Sequence, residues 1–470
     1  MADDKSILGQ NNRLAVAGLI VAGSVLRLAG LLTASIWFDE AFALHGAQQP
    51  LLTTIQLAMS DYTPPLWDVL VWPWVHIIPG ALGLRLPAVL ASIAALWVGW
   101  LLIQRWVELP AARLAALAAL ALLPGFVWTA QDGRSYSLLI LLYTLSLYYA
   151  DSDNDLGMWG SCGLLVWCHS VGPILAFTAF ALWLAKHNKP RKAILVGTWV
   201  GLWYLPYLPT LINRSLDKFP HSGSAGLGTW MGAMWQTLLG GAVNQPLGLW
   251  AVGLVLLSLA AGVVLMLRQK RAGYAAIGVL LPITIYFVLA VLGKNVWMYR
   301  TIQPIFYILP IWLAAVVWPQ KWTWGGAGTV IPIAWGVMVL WGLLLWTPSS
   351  RGGELELAAS RINAAWRAGD VVYYATGYSA EPMLFYLDKP FALASTELYN
   401  PVHRQFYRWP VVPLEQLEYQ RAWVIWDDYR LMSDELRAYL HGIVGDRMPV
   451  LYVTYMQTES YSIYLVEASK

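Results

Sequence analysis

Residues 14–41 read LAVAGLIVAGSVLRLAGLLTASIWFDEA. From 14 to 36 the one charged side chain is Arg27; Trp37 and Phe38 then lead into two adjacent carboxylates, Asp39 and Glu40. A helix needs about 20 apolar residues to cross a bilayer, so this run is long enough to span. Its end carries aromatic rings of the kind that favour the membrane–water interface. The opening, Met1-Ala2-Asp3-Asp4-Lys5, is polar and acidic, and no small-residue cleavage pattern follows the apolar run. Residues 14–36 therefore read as a retained first helix.

Composition extends this reading to most of the chain. Of 470 residues, 58% are hydrophobic and 12% charged, against roughly 25% charged in an ordinary soluble protein, which excludes an average soluble enzyme. Residues 1–350 hold 31 of the 57 charged side chains and the last 120 hold the other 26. Two parts are expected: a membrane domain over 1–349 and a soluble domain over 350–470. Hydropathy places spans near 14–36, 85–105, 112–130, 136–150, 157–168, 171–185, 193–212, 246–267, 273–292, 300–318 and 325–346, about eleven helices. With alternate connections assigned to opposite sides, Lys5, Arg13, Arg105, Arg113, Lys186, Lys189, Arg191, Lys192, Arg268, Lys270, Arg271 and Lys321 fall on one side. Arg85, Arg134, Arg214, Lys218, Lys294 and Arg300 fall on the other. The basic excess puts the amino terminus in the cytoplasm, and an odd number of helices puts the tail outside.

The first outer loop, about 37–84, is too long for a simple connection and too apolar to dissolve in water. Within it, residues 66–78 carry Trp67, Trp72 and Trp74 and are flanked or broken by Pro64, Pro65, Pro73 and Pro79; that length suits an interfacial or re-entrant helix. A second outer segment, 213–245, is glycine-rich and reads as mobile. The net charge of +3 and the absence of a basic patch interleaved with aromatics exclude nucleic acid as a partner. The two cysteines, Cys162 and Cys168, are six residues apart, about 9 Å along a helix axis and on diverging faces, which makes a disulfide implausible. Beyond 350 the pattern alternates: helix at 354–368, strand at 370–375, helix at 380–387, strand at 421–426, helix at 434–442, strands at 450–455 and 461–466. This predicts a small α/β domain, without a phosphate loop or a metal-spaced His/Cys set.

Charge is scarce in the membrane part: residues 1–350 contain twelve acids, and Asp39, Glu40, Asp61, Asp68, Asp132 and Asp217 fall on the outer side. Ionised groups near hydrocarbon are costly and mark function. Asp39 and Glu40 follow the first span, Asp61 precedes Thr63-Pro64-Pro65, Asp132 and Arg134 follow the third, His169 ends the fifth, and Arg300 heads the tenth. In order, Arg27-Leu28, Trp37-Phe38-Asp39-Glu40-Ala41, Asp61-Tyr62-Thr63-Pro64-Pro65-Leu66, Leu84-Arg85-Leu86-Pro87, Gln131-Asp132-Gly133-Arg134-Ser135-Tyr136 and Tyr299-Arg300 resemble the motifs of the GT-C glycosyltransferases. The nearest branch looks like bacterial relatives of protein O-mannosyltransferases and of the aminoarabinose transferase that modifies lipid A. The resemblance covers about 14–346. Thr63 stands where relatives often have His, and Asp132-Gly133 where they often have Glu-Ala, which shortens the acid and keeps its charge.

The resemblance implies an inverting glycosyltransferase in a bacterial plasma membrane that moves a sugar from a polyprenyl-phosphate carrier to a lipid, glycan or protein hydroxyl at the outer face. Such a transfer needs one carboxylate to take the acceptor proton. Asp39 is the candidate, with Glu40 beside it tuning charge or holding the helix end. The departing phosphate needs positive charge: Arg134 and Arg300 first, Lys294 and His169 behind them. Asp132 is open to three uses: orienting Arg134, binding acceptor, or sharing a divalent cation with Asp39, although no spacing demands a metal. Asp61, Gln131 and Tyr136 are candidates for holding or positioning the acceptor. Arg27, inside the first helix, reaches either a carboxylate or lipid phosphate or a packing partner in the bundle. His45, His76, His221 and Asp217 read as loop or interfacial residues. Rival classes are a transporter or lipid flippase, which should show internal repeats or paired broken helices, and a membrane scaffold, in which the outer acids would be dispensable.

Overall fold

The computed structural model describes residues 2–468 except 32–34, 62, 217–226, 241–244, 267–269, 295, 318–326, 346–353, 396–408, 428–432 and 456–458. The chain forms two compact units, Met1–Leu31 with Tyr62–Trp74 and Arg85–Thr347, and Leu32–Asp61 with Val75–Leu84 and Pro348–Lys470. The expected boundary at 349 thus gains a qualification: residues 32–61 and 75–84, assigned from sequence to the membrane domain, group with the C-terminal segment. For 32–61 the reason is Trp37 and Phe38, which pack into that segment's core.

Helices fill the first two-thirds of the chain: α1 (Ala2–Leu28), α2 (Phe38–Ala47), α3 (Leu51–Met59), α4 (Leu66–Ile77), α5 (Ala81–Trp106), α6 (Pro110–Leu122) and α7 (Pro124–Ala130). There follow α8 (Tyr136–Ser152), α9 (Asp155–Cys168), α10 (Gly172–His187), α11 (Pro190–Tyr204) and α12 (Leu208–Leu216). Then come α13 (Leu227–Leu239), α14 (Gln245–Met266), α15 (Lys270–Val291), α16 (Tyr299–Val317) and α17 (Ala327–Leu345). Among the described residues four helical stretches are long and apolar enough to cross a membrane: Ala81–Trp106, Gly248–Met266, Gly273–Val291 and Tyr299–Val317. The pair α6 and α7, bent by 49°, makes a fifth if it is one broken span. The chain is a polytopic membrane protein.

The other expected spans contain helices, but α1 stops at Leu28 instead of running to 36, 193–212 is divided between α11 and α12, and most are shorter than a straight crossing: α8 to α11 run 17, 14, 16 and 15 residues, and 14 residues reach only about 21 Å of a hydrocarbon core of about 30 Å. The expected glycine-rich segment at 213–245 contains α13, while Asp217, Lys218, His221 and Lys321 lie outside the described residues. The first outer loop is helical as well, in α2 to α4.

Burial sorts these helices. In α16 nearly every side chain is buried despite Pro304 and Pro310, as expected of a central helix apolar on all sides. By contrast Leu195, Trp199, Leu202, Trp203, Trp250 and Leu257 are exposed, an apolar outer surface that suits lipid. Local sequence sets the ends: Asn154 caps α9 by accepting the Gly157 N–H at 2.9 Å, and Pro110 and Pro124 open α6 and α7 where a missing N–H costs nothing. Cys162 and Cys168 are free and buried in α9. Where α5, α8 and α10 end and α9 and α11 begin, Arg105 and Lys186 both pair with Asp151, Lys189 pairs with Asp153 at 2.6 Å, and Lys192 pairs with Asp155.

In the second unit, α18 (Leu355–Ala365), β1 (Asp370–Thr376), α19 (Gly377–Met383), β2 (Phe391–Ser395), β3 (Arg421–Asp427), α20 (Asp434–Val444), β4 (Leu451–Tyr455) and β5 (Glu459–Glu467) build a five-stranded sheet in the order β2-β1-β3-β5-β4. The β2, β1 and β3 strands run parallel, and β5 is antiparallel to both β3 and β4. Every residue of β1 is buried, because both faces are covered. Val372, Tyr374, Trp423 and Ile425 face α18, α19 and Trp37. Tyr373, Ala375, Val424 and Trp426 face α20 and Leu414, the period-two alternation of a strand.

Candidate active site

The break between α6 and α7 sets up a candidate site within the first unit. Leu123 leaves helical geometry (φ −60°, ψ 122°) ahead of Pro124, and α7 runs seven residues before Gln131 ends it. The turn that follows is held from several sides: the Asp132 N–H donates to Thr129 O at 3.2 Å, Ser137 Oγ donates to the same carbonyl at 3.2 Å, and Trp67 Nε1 donates to Gly133 O at 3.2 Å. Asp132 is buried. Gly125 in α7 is there for contact: a Cβ would lie 1.9 Å from Thr237 O of α13.

His169 sits at the turn between α9 and α10, buried, its ring 5.6 Å from that of Tyr136. The Val171 N–H donates to its Nδ1 at 3.3 Å, and Ser170 Oγ lies 3.3 Å from the same atom. With Nδ1 accepting, the neutral ring carries its proton on Nε2. Burial pushes the imidazole down to about 3, and the positive charges of Arg134 and Arg300 act in the same direction. Arg134, Arg300 and His169 therefore share one electrostatic neighbourhood, in which His169 offers an Nε2–H donor and not a charge.

Arg300 heads α16. Its Nε donates to Tyr299 Oη at 2.6 Å and its guanidinium lies 5.0 Å from that ring's centre. The Tyr299 ring in turn packs 5.5 Å from Trp128 of α7, and Tyr299 O accepts from Thr237 Oγ1 at 3.0 Å. Lys294 is exposed on the turn after α15, six residues before Arg300. Of the sequence-derived candidates, the first unit thus holds Gln131, Asp132, Arg134, Tyr136, His169, Lys294 and Arg300; it joins Tyr136 to His169, and His169 to the two arginines.

Asp39, Glu40 and Asp61 belong to the second unit. Asp39 and Glu40 occupy the first turn of α2, where carboxylates suit the helix dipole, Asp39 half-buried and Glu40 fully buried. Asp61 follows α3, its N–H donating to Ala58 O at 3.1 Å. Phe38 lies 4.1 Å from Tyr378 of α19 between ring centres, and His45 Nδ1 lies 3.3 Å from the buried Glu381 Oε1. Sequence reading missed Glu381, and no local signal marks a partner 336 positions away. Trp67, Trp128 and Tyr299 were also missed as supports; their aromatic bulk announced only an interface. Among the described residues no group of three or more His, Cys, Asp or Glu side chains is placed to hold a metal ion.

The whole chain superposes on ArnT, the lipid A aminoarabinose transferase, from Cupriavidus metallidurans in the apo state, with a TM-score of 0.60 and 12% identity over 98% of each chain. The form of ArnT bound to undecaprenyl phosphate gives 0.55 at 12% identity, over 95% of this chain and 97% of that one. The apo oligosaccharyltransferase of Archaeoglobus fulgidus gives 0.51 at 12% identity, over 88% of this chain and 69% of that one. The chain has the GT-C fold. No protein-family model and no curated protein matches it. Within the first unit, Arg134 follows the end of the broken α6–α7 helix and Arg300 stands at the head of α16.

Proposed function

We propose that this protein is an inverting glycosyltransferase that takes a sugar from a polyprenyl-phosphate carrier and passes it to an acceptor hydroxyl at the outer face of a bacterial plasma membrane, with the amino terminus in the cytoplasm and the C-terminal domain outside. The observation that carries this reading is the gathering of Arg134, Arg300 and neutral His169 in a membrane protein of GT-C fold. Two cations with a neutral donor suit a lipid-linked phosphate, and the neighbour ArnT was solved with undecaprenyl phosphate.

In this reading the acceptor oxygen attacks the anomeric carbon on the side opposite the phosphate. The bond from that carbon to the phosphate oxygen breaks, and its electron pair leaves with the carrier. Asp39 takes the acceptor proton, a role worth about 10²- to 10⁴-fold in rate. Arg134 and Arg300 stabilise the phosphate as charge collects on it, Arg300 through its planar fork, with Lys294 at the rim. His169 donates from Nε2, and Tyr136 holds the imidazole. Glu40 fixes the start of α2, Asp132 orients Arg134, and Asp61 contributes to acceptor placement.

The test is transfer of label from a set of polyprenyl-phosphate sugars to a cell-envelope extract by the purified protein in lipid nanodiscs. Wild-type protein is expected to transfer from at least one donor, and Asp39→Asn to lose transfer by at least about 100-fold while still binding the carrier lipid. Near-normal transfer by Asp39→Asn removes the base assignment. Movement of intact carrier across vesicles without any transfer returns the transporter reading.

A further inference from the structure

We propose that Arg27 is a positioning residue for the phosphate-binding turn, acting with Gln131 as a reciprocal clamp between α1 and the broken α6–α7 helix. The proposal rests on the reading of Arg134 as a ligand of the donor phosphate.

Arg27 is fully buried in a helix with few polar neighbours. Its Nε donates to Ser92 Oγ at 2.8 Å, Nη1 to Gly23 O at 2.9 Å and to Ala121 O at 2.8 Å, and Nη2 to Leu120 O at 2.9 Å. The last two acceptors exist because α6 stops. A continuing helix would satisfy Leu120 O from position 124, but Pro124 has no N–H, and Ala121 O belongs to the same final turn. A planar guanidinium, with five donors in a fixed fork, fits two successive carbonyls and a hydroxyl where a lysine offers one point. Gly23 makes the approach feasible: a Cβ there would lie 2.9 Å from Ala121 Cβ and 3.1 Å from Ala121 O.

The return grip comes from the other end of α7. Gln131 Nε2 donates to Leu26 O at 3.0 Å and to Ala29 O, carbonyls at the C-terminal end of α1 that lack an intrahelical partner. The α1 helix therefore caps α6 just before the break, and the residue that ends α7 caps α1. Between the two grips lies all of α7, and directly after the second come Asp132, Gly133 and Arg134. Neither carboxylate nor lipid is needed to explain the charge in the first span: Arg27 answers an unsatisfied backbone, and by doing so fixes where the next turn emerges.

The test compares wild type, Arg27→Lys and Gln131→Met in full-length protein in nanodiscs; the second variant keeps side-chain length and attacks the clamp from its other jaw if the first fails to fold. Hydrogen exchange of amides in 120–135 is expected to quicken about tenfold or more, with those of α9 and α10 unchanged. The apparent KM for the lipid-phosphate donor is expected to rise about tenfold and that for acceptor to stay within about twofold. Arg134→Ala should cost less than about a third as much in the Arg27→Lys background as in wild type, because a displaced side chain has less to lose. Multiplicative effects of the two substitutions, equal rises in both KM values, or unchanged exchange in 120–135 each overturn the proposal. Absence of transfer by wild-type protein with every donor fails the glycosyltransferase reading instead, and is told apart because the exchange comparison needs no turnover.

Discussion

Arg300 reaches the head of α16 on a fixed strut: its Nε is bonded to Tyr299 Oη, whose ring packs against Trp128. That rigidity reduces the side-chain entropy lost when an anion binds. Arg300→Ala should raise the apparent KM for the lipid-phosphate donor about tenfold or more and leave that for acceptor nearly unchanged, since charged hydrogen bonds are worth about 1.5–3 kcal/mol; steady-state kinetics with each substrate varied in turn would check this, and an unchanged donor KM removes Arg300 from the phosphate. In the second unit Asp370 is the informative titrating residue. Burial raises its carboxyl, but bonds from Arg421, from the Arg367 N–H and from Trp423 Nε1 outweigh it and hold the group below the usual carboxylate range. The contacts are a fork from Arg421 at 2.9 and 2.6 Å, with Trp423 at 3.1 Å. A carboxyl depressed on folding contributes stability that is present above its unfolded pKa of about 3.9 and is lost as pH falls through the folded value. The unfolding temperature of this unit should therefore be level above about pH 5 and fall below about pH 4, and Asp370→Asn should flatten that acid limb; an acid limb unchanged in the variant places the titration elsewhere. Arg421 and Trp423 were not legible as partners in sequence, because Asp370 and Arg421 stand 51 positions apart and only strand register brings them together.

At the scale of elements, the hydropathy pattern located most of the longer apolar helices, since apolar runs and helix formers such as those of α6 act locally, but not α13, which lies in the segment read as glycine-rich and mobile. It did not locate β2, five residues packed parallel to β1 on the sheet edge, because so short a strand owes its existence to its neighbour. Nor did it show that α2 and α3 form within residues 37–84. The turn between α9 and α10 illustrates what a glycine does beyond propensity. A Cβ on Gly172 would lie 2.0 Å from Leu165 O, a backbone atom that has no easy retreat, whereas nothing lies within 4 Å of a Cβ on Gly160 in the middle of α9. Gly172→Ala should spread the hairpin, cost about 1–3 kcal/mol, and displace His169 from Tyr136 with loss of transfer. Gly160→Ala should be neutral or gain about 0.5–1 kcal/mol. Thermal unfolding and transfer by the two variants would check the contrast, and equal tolerance of both would show that α9 and α10 can separate without harm.

For the whole molecule, the uneven distribution of charge marks a change along the chain, but not which segments group together. Charged residues become frequent beyond 350, and that change is visible in sequence; the grouping of residues 32–61 with the C-terminal segment depends on a few side chains and is not. Trp37 is the clearest of them. It is 1% exposed and sits in a cluster with Leu355, Ala358, Ile362, Val372 and Ile425, more than 300 positions away in sequence. Removing a buried tryptophan costs about 3–5 kcal/mol, a large part of the roughly 5–15 kcal/mol that holds a domain together. Trp37→Ala should therefore make residues 354–468 sensitive to limited proteolysis in otherwise intact protein. It should also reduce transfer, because Trp37 leads directly into the first turn of α2, which carries Asp39 and Glu40. Trp250→Ala, which removes a ring that is 80% exposed, is the matched control, and surface changes of that kind stay within about 0.5 kcal/mol. Equal protease resistance in the two variants would mean that the C-terminal sheet stands without Trp37.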